Sequence, residues 1–134
     1  MKTKESEGLR PDWIYKRGDV YWADLNPFFG SEQGGTRPVL VLQNDAGNFF
    51  SPTLIVAPMS SRVDKRTDLP THIVLEQVRG LDGPSLIMLE QLKTIDKRRV
   101  RSYAGKLTKE QMAEVEAALT GTLGIYITEA VEAP

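Results

Sequence analysis

The amino-acid sequence predicts a mainly β fold with helices, in which a compact, barrel-like sheet carries one C-terminal helix packed on it. Three observations indicate this class: five short apolar segments, clusters of glycine, proline and asparagine between them, and one late segment with helical spacing. With 134 residues, the chain has the length of one ordinary domain. We therefore expect a single core formed mostly by strands.

The first two predicted strands are separated by a long polar loop. Residues 18–25 alternate and are rich in strand formers, and Asn26 with Pro27 ends this segment. Residues 37–43 are a mostly apolar run, typical of a strand buried on both faces, with Pro38 near its start, where a missing N–H donor is tolerated. Three glycines and several polar side chains fill the segment between them, which predicts an exposed loop.

Three more strands follow at shorter spacing. A turn over residues 44–48 leads to a third apolar strand, residues 53–59, and the charged residues 62–68 form a loop after it. Two shorter strands are predicted at 72–75 and 85–89, with a glycine-containing turn between them.

The last predicted element is a helix that starts after Thr108. Gln111 follows Thr108 at the spacing of a capping box, in which each side chain bonds the backbone N–H of the other residue. Met112, Val115 and Leu119 then recur at helical spacing and predict one apolar face. That face is expected to pack on the sheet.

Both ends of the chain are expected to lie outside the domain, which we place at residues 16–124. Residues 1–15 are mostly polar and predict a flexible N-terminal tail, with Trp13 and Tyr15 able to dock where the tail ends. The start of this tail lacks the apolar stretch of a signal peptide, so secretion is not expected. Residues 125–134 form the predicted C-terminal tail.

Composition excludes several classes of protein. The chain has no cysteine, so disulfide frameworks and thiolate metal sites are impossible, and a reducing cytoplasm is the expected location. No apolar run approaches the roughly 20 residues that span a bilayer, so no membrane partner is expected. The formal net charge of -1 argues against a domain held to nucleic acid by bulk charge, although residues 62–66 and 93–101 form basic patches.

Residues suited to metal or acid–base chemistry are few. His72 is the single histidine, which rules out a histidine pair acting as acid and base and a metal site with several histidines. Carboxylates are scattered without the spacing of a Mg²⁺ site, and no glycine-rich phosphate-binding motif occurs. We therefore expect neither a metal nor another cofactor, and composition alone favours a binding module.

Three sequence blocks point to a specific family. In order, they are Lys16-Arg-Gly-Asp-Val-Tyr, Gly30-Ser-Glu-Gln-Gly-Gly followed by Arg37-Pro-Val-Leu-Val, and Glu90-Gln-Leu-Lys-Thr-Ile-Asp. Together they resemble the MazF/PemK family of toxin endoribonucleases from type II toxin-antitoxin systems, over roughly residues 16–124. The resemblance implies a homodimer of SH3-like barrels, each a twisted antiparallel sheet with a C-terminal helix.

The resemblance also implies an activity. Such toxins cut single-stranded messenger RNA at short sequences without a metal ion: the 2'-hydroxyl attacks the neighbouring phosphate and leaves a 2',3'-cyclic phosphate and a 5'-hydroxyl, which inhibits translation and growth. The arginine of the Arg-Pro motif and a hydroxyl residue at the end of the third strand serve this reaction, and they fall on Arg37 and Ser60. The family more often has threonine at the second position, so serine puts the rate in doubt but keeps the hydroxyl.

The chemistry of these side chains fits the implied reaction. A guanidinium offers a planar fork of donors to phosphate oxygens, which suits Arg37 to the charge that builds on a phosphorane. Because an arginine pKa lies above about 12, the group that takes the 2'-proton stays open, and Glu32 is the carboxylate nearest in sequence. Ser60 is expected to donate a hydrogen bond to the phosphate or to the leaving oxygen.

Each assignment has a structural alternative. Arg37 can pair with a surface carboxylate, and Ser60 or its neighbour Ser61 can cap a turn. His72, at a strand start, is expected to be a packed or hydrogen-bonded residue rather than a catalytic one.

RNA-binding residues are expected in the long loop and opposite it, because single-stranded bases are bound by aromatic stacking and by hydrogen bonds at their edges. The predicted set is Phe29, Ser31, Glu32, Gln33, Thr36, Leu69, Pro70 and Gln91. Phe28 and Phe29 can stack on bases or anchor the loop in the core. Gln91 is placed in the fifth strand, and residues 62–68 are expected to contact phosphates.

The resemblance also implies a protein partner, and two alternative functions are weighed against the ribonuclease. The family implies a MazE-like antitoxin whose disordered C-terminal segment folds across the same grooves and blocks the site. One rival is a toxin of the same fold that binds DNA gyrase, and retention of both Arg37 and Ser60 argues against it. The other is a non-enzymatic SH3-like module, which would be expected to lack the polar loop at the strand entrance.

Overall fold

A computed structural model describes residues 9–64 and 69–125 of the chain. These residues form seven strands and two α-helices, with a 3₁₀ turn on each side of the sixth strand. In chain order the elements are β1 (Asp19–Asp24), β2 (Thr36–Val41), α1 (Asp45–Phe50), β3 (Thr53–Ser60), β4 (His72–Leu75), β5 (Ser85–Met88), the turn Leu89–Gln91, β6 (Lys93–Asp96), the turn Lys97–Arg99, β7 (Val100–Lys106) and α2 (Lys109–Thr122).

The strands form one antiparallel sheet in the order β4-β5-β3-β2-β1-β7, while β6 pairs with the first half of β3. The mainly β fold with a C-terminal helix is therefore confirmed. The barrel is not closed, however, because closure needs paired terminal strands, and no pairing between β4 and β7 is found in the described part of the chain. The isolated bridge between Arg79 and Lys106 links the segment before β5 to β7 instead.

The sheet has a core on each face, as expected when successive strand residues point to opposite sides. One core contains Val20, Leu40, Ala57, Met59, Ile87 and Val115, and the other contains Tyr21, Val39, Val41, Leu54 and Val56. Helix α2 covers the first core through Val115, with Met112 and Leu119 packed beside it. The predicted capping box is present: the Thr108 side chain accepts from the Gln111 N–H at 3.1 Å, and the Gln111 side chain accepts from the Thr108 N–H at 3.0 Å.

Several elements differ from the sequence prediction. The predicted turn at 44–48 lies largely within α1, which begins because the Asn44 side chain accepts a hydrogen bond from the Gly47 N–H. Strands β6 and β7 were not predicted, since their lysines and arginines interrupt the apolar pattern. Strand β7 ends the sheet, and among the described residues no strand pairs with its outer edge, where Arg79 forms only an isolated bridge to Lys106; charged side chains are tolerated at such an edge.

Residues 9–15, the N-terminal strap, pack against the sheet. Trp13 Nε1 donates to the Tyr21 hydroxyl at 2.8 Å, and the Trp13 and Tyr103 rings lie 5.5 Å apart between centroids. The Tyr15 ring lies 5.0 Å from that of Tyr21. The packed chain therefore begins before Lys16, inside the predicted tail.

The remaining parts of the two predicted tails, residues 1–8 and 126–134, lie outside the described residues. Neither α-helix of the described ranges has the length and apolar character needed to cross a membrane.

Candidate active site

Arg37 lies near the start of β2, opposite Ala23 of β1, and is half-buried. Its Nε donates to the main-chain oxygen of Gly34 at 2.9 Å, and its Nη1 lies 3.4 Å from the main-chain oxygen of Met59. None of the ion pairs found among residues 9–64 and 69–125 includes Arg37. Two carbonyls from different segments therefore hold the guanidinium in place, and the surface ion-pair alternative has no support.

The electrostatic state of Arg37 suits an anionic ligand. Burial lowers the pKa of the Arg37 guanidinium by removing part of its hydration. Since an arginine pKa starts above about 12, the side chain is still a cation near neutral pH. A cation with fewer water contacts interacts more strongly with a nearby phosphate. The arrangement favours binding of an anion over transfer of a proton.

Ser60 is the last residue of β3, opposite Leu86 of β5. Its Oγ accepts a hydrogen bond from the Arg62 N–H at 3.1 Å, so it does cap a turn. This bond fixes the oxygen but uses only one of its lone pairs, so the Ser60 O–H group is still able to donate a hydrogen bond to a ligand. The turn-capping role and a catalytic role are therefore compatible.

A cavity of about 430 Å³ brings Arg37 and Ser60 together with the predicted RNA-binding residue Thr36. The other lining residues are Trp22, Pro38, Met59, Ser61, Arg62, Leu81, Asp82 and Ser85. Its size is in the range of small-ligand sites. Among the described residues, Asp82 is the one carboxylate in this lining, and sequence reasoning missed it because it lies in a glycine-containing turn that carries no motif.

The long loop after β1 is held in shape by hydrogen bonds. The Phe29 N–H donates to Glu32 Oε1 at 2.7 Å, so the Glu32 carboxylate is engaged inside the loop. Gln91 Oε1 accepts from the Gln33 N–H at 3.3 Å, and Gln91 Nε2 donates to the Ser31 oxygen at 3.4 Å. The predicted loop residues and Gln91 thus lie together.

The placement of Gln91 in the fifth strand is wrong. It lies in the 3₁₀ turn Leu89–Gln91, which follows β5. The apolar run from Ser85 continues through Leu89, so the sequence shows no break there. The chain nevertheless turns at this point, and the Leu92 N–H closes the turn by donating to the Leu89 oxygen at 3.2 Å. This turn aims the Gln91 amide at the loop.

The two adjacent phenylalanines have different surroundings. A Cβ atom at Gly34 would lie 1.9 Å from Phe28 Cδ1, so the Phe28 ring covers this glycine. Phe29 is 85% exposed. Neither ring belongs to a core, but Phe28 anchors the loop locally, while the Phe29 ring is open to solvent.

Leu69 and Pro70 lie just before β4 and do not line the Arg37 cavity. Their segment contacts the turn Leu89–Gln91 through Thr71, whose Oγ1 donates to Glu90 Oε1 at 3.0 Å. The segment that carries them therefore meets the turn Leu89–Gln91 at Thr71, outside the cavity of Arg37.

His72 is a mostly buried, hydrogen-bonded residue, as expected. Its side chain is 5% exposed, and its Nε2 lies 2.8 Å from Glu90 Oε2. It does not line the cavity of Arg37 and Ser60.

The two basic patches, residues 62–66 and 93–101, have different surroundings. Arg62 of the first patch lines the cavity, whereas residues 65–68 fall outside the described residues. In the second patch Arg98 pairs with Asp96, and Arg101 pairs with Asp24. Across the described ranges, no group of three histidine, aspartate or glutamate side chains is arranged to hold a metal ion.

Comparison with known proteins identifies the family. The model for the PemK-like, MazF-like toxin of type II toxin-antitoxin systems matches residues 16–123. Endoribonuclease EndoA of Bacillus subtilis (strain 168) is 51% identical over 113 residues, which cover 84% of this chain and 97% of EndoA.

Two crystal structures from Deinococcus radiodurans share the fold. MazF (Form-I) aligns with a TM-score of 0.72 and 28% identity, covering 84% of this chain and 99% of that one. A MazE-MazF structure (Form-II) aligns with a TM-score of 0.67 and 28% identity, covering 86% of this chain and 100% of that one. The chain therefore belongs to the PemK-like, MazF-like family of toxins from type II toxin-antitoxin systems.

Proposed function

We propose that this toxin is a sequence-specific endoribonuclease that cleaves single-stranded messenger RNA without a metal ion and thereby inhibits translation and growth. The observation that carries the proposal is the shared cavity of Arg37 and Ser60. The 51% identity to Endoribonuclease EndoA supports the same activity. These comparisons give no support to the alternative of a gyrase-binding toxin.

The proposed reaction is an internal transesterification. The ribose 2'-oxygen loses its proton to a base and attacks the adjacent phosphorus, and the bond from phosphorus to the 5'-oxygen breaks. The 5'-oxygen takes a proton from water, so the products are a 2',3'-cyclic phosphate and a 5'-hydroxyl. Arg37 binds the non-bridging oxygens as negative charge builds on them. Ser60, oriented by the Arg62 N–H, donates to the phosphate or to the leaving 5'-oxygen.

Two carboxylates are candidates for the base that takes the 2'-proton. Glu32 lies in the loop that approaches Arg37, but its Oε1 already accepts from the Phe29 N–H. Asp82 lines the cavity itself. A general base must come within hydrogen-bond reach of the proton it removes, so the position of Asp82 favours it.

We assign RNA binding to the loop after β1 and to the segment opposite it. Phe29 offers an exposed ring for stacking, and Ser31, Gln33 and Thr36 offer polar groups to base edges. Gln91 contributes by holding the loop. Leu69 and Pro70 form the far side of the proposed groove.

The proposed partners are a second copy of the chain and a MazE-like antitoxin. The MazE-MazF crystal structure supports an antitoxin for this chain as well. Phe49 and Phe50 are 61% and 81% exposed, and exposed apolar side chains of this kind support a protein contact such as a homodimer. We place the complex in the cytoplasm, in keeping with the lack of cysteine.

The test is incubation of the purified protein with a long single-stranded RNA in excess EDTA, followed by mapping of the cut ends. The wild type is expected to cut at one short sequence and to leave 5'-hydroxyl ends, and Arg37→Ala is expected to abolish cutting. Failure of folded wild type to cut several unrelated RNAs would overturn the proposal. Cutting that EDTA prevents would overturn the metal-independent step.

A further inference from the structure

We infer that Arg99 is a positioning residue for RNA cleavage, because its guanidinium fixes the base of the recognition loop, residues 26–35. The inference rests on the proposed ribonuclease function. Arg99 closes the 3₁₀ turn before β7 and is 73 residues from Asn26 in sequence. Its Nη1 donates to the main-chain oxygens of Asp24, at 3.1 Å, and of Asn26.

The recognition loop is closed at its base by a small set of hydrogen bonds. The Leu25 N–H donates to the Gly35 oxygen at 3.0 Å, and the Gly35 N–H donates to Asn26 Oδ1 at 2.9 Å. Asn26 thus ties the two ends of the loop together. Arg99 bonds the carbonyl of this same residue, so its side chain fixes Asn26 to the turn that precedes β7.

The position of the loop matters for Arg37 as well as for RNA bases. Gly34, within the loop, accepts the hydrogen bond from Arg37 Nε. A shift of the loop base therefore moves both the base-reading side chains and an anchor of the catalytic guanidinium. Small displacements of reacting groups reduce rates strongly.

Arg98 provides a matched control for Arg99. It is the preceding residue and carries the same charge, but its Nε pairs with Asp96 and its side chain is 91% exposed. Replacing either arginine by alanine removes one positive charge from the same surface. A purely electrostatic contribution to RNA binding predicts similar effects for both variants, whereas loop positioning predicts an effect for Arg99 alone.

The first measurement is amide hydrogen exchange of the three variants Arg99→Ala, Arg99→Lys and Arg98→Ala. Each is measured at the same interval below its own unfolding temperature, so that their thermal stabilities are matched. Arg99→Ala is expected to speed exchange of the Leu25 and Gly35 amides, while Arg98→Ala leaves both unchanged. Arg99→Lys keeps a charged donor, so it is expected to restore part of the protection. This measurement needs no RNA, and equal exchange in the two alanine variants would overturn the inference.

The second measurement is RNA cleavage by the same variants. Arg99→Ala is expected to lower kcat by about 10- to 100-fold, to raise KM and to spread cutting over more sites, and Arg99→Lys is expected to recover part of the rate. Arg99→Ala that matches Arg98→Ala in all three respects would overturn the positioning role. If the wild type itself cuts no RNA, the proposed function fails, and the exchange measurement still decides whether Arg99 fixes the loop.

Discussion

Arg37 Nε donates a hydrogen bond of 2.9 Å to the main-chain oxygen of Gly34. The proposed catalytic guanidinium is therefore anchored by the loop proposed to read RNA bases. A change in loop conformation is expected to alter substrate recognition and catalysis together, because one carbonyl belongs to both parts of the site.

Substitution of Gly34 by alanine tests this connection. The new Cβ would lie 1.9 Å from Phe28 Cδ1, so the ring or the loop must move. We expect cleavage to fall by roughly 10-fold or more, since the Arg37 anchor moves with the loop. In the Phe28→Ala background the clash is absent, so adding Gly34→Ala is expected to cost little there, which gives a non-additive double-mutant cycle. Additive losses would contradict this explanation.

Substitutions at Ser60 and Ser61 test which of the two hydroxyls is catalytic. Loss of one preorganised donor to a transition state costs about 100- to 1,000-fold, so Ser60→Ala is expected to reduce kcat on that scale. Ser60→Thr keeps the hydroxyl and is expected to remain active, and Ser61→Ala is expected to change kcat little. A large loss in Ser61→Ala with a small loss in Ser60→Ala would move the assignment by one residue.

Asp82→Asn and Glu32→Gln distinguish the two candidate bases. A general base takes the 2'-proton on a carboxylate oxygen, so replacing the true base by its amide removes the proton acceptor while keeping the shape of the side chain. Asp82→Asn is expected to lose about 100-fold or more in kcat, because an amide cannot take the 2'-proton. If Glu32→Gln shows this behaviour and Asp82→Asn does not, the loop carboxylate is the base.

The Asp19 carboxyl predicts how the free energy of unfolding changes with pH. Burial raises the pKa of the Asp19 carboxyl, while hydrogen bonds from the Tyr21 hydroxyl and the Lys16 N–H offset part of this effect. The folded state therefore binds more protons than the unfolded state between the ordinary value of 3.8 and the raised pKa. Within that window, the Asp19 contribution to stability decreases as pH rises.

Asp19→Asn removes this titration but keeps an oxygen able to accept both hydrogen bonds. The free energy of unfolding of the variant minus that of the wild type is expected to increase with pH through the window and to level off above it. Urea unfolding of both proteins at several pH values from about 3 to about 7 measures the difference, in which other carboxyls cancel. A difference that falls with rising pH would show that folding lowers the pKa of Asp19 instead of raising it.

Trp13 tests the contribution of the N-terminal strap. Its indole packs against Tyr103 and donates to the Tyr21 hydroxyl, so Trp13→Ala is expected to lower the free energy of unfolding by roughly 2–4 kcal/mol. Ile14→Ala, at a side chain that is 53% exposed, is expected to cost about 0.5 kcal/mol or less. Equal unfolding curves for the two variants would show that the strap adds no stability.

The sequence by itself was sufficient for the elements and residues whose signal is local. Apolar runs bounded by turn residues placed β1 to β5, and Thr108 with Gln111 placed the start of α2. The Arg-Pro motif and the end of the third strand identified Arg37 and Ser60, which the structure brings into one cavity.

Tertiary structure alone decided which distant segments meet. The charged strands β6 and β7 pair with β3 and β1 through backbone hydrogen bonds, which no side-chain pattern records. For the same reason, the places of Asp82 in the cavity and of Arg99 beneath the loop follow from the path of the chain around the sheet. Local patterns determine which segments become strands, whereas long-range pairing determines which side chains share a site, because the free energy of pairing depends on segments far apart in sequence.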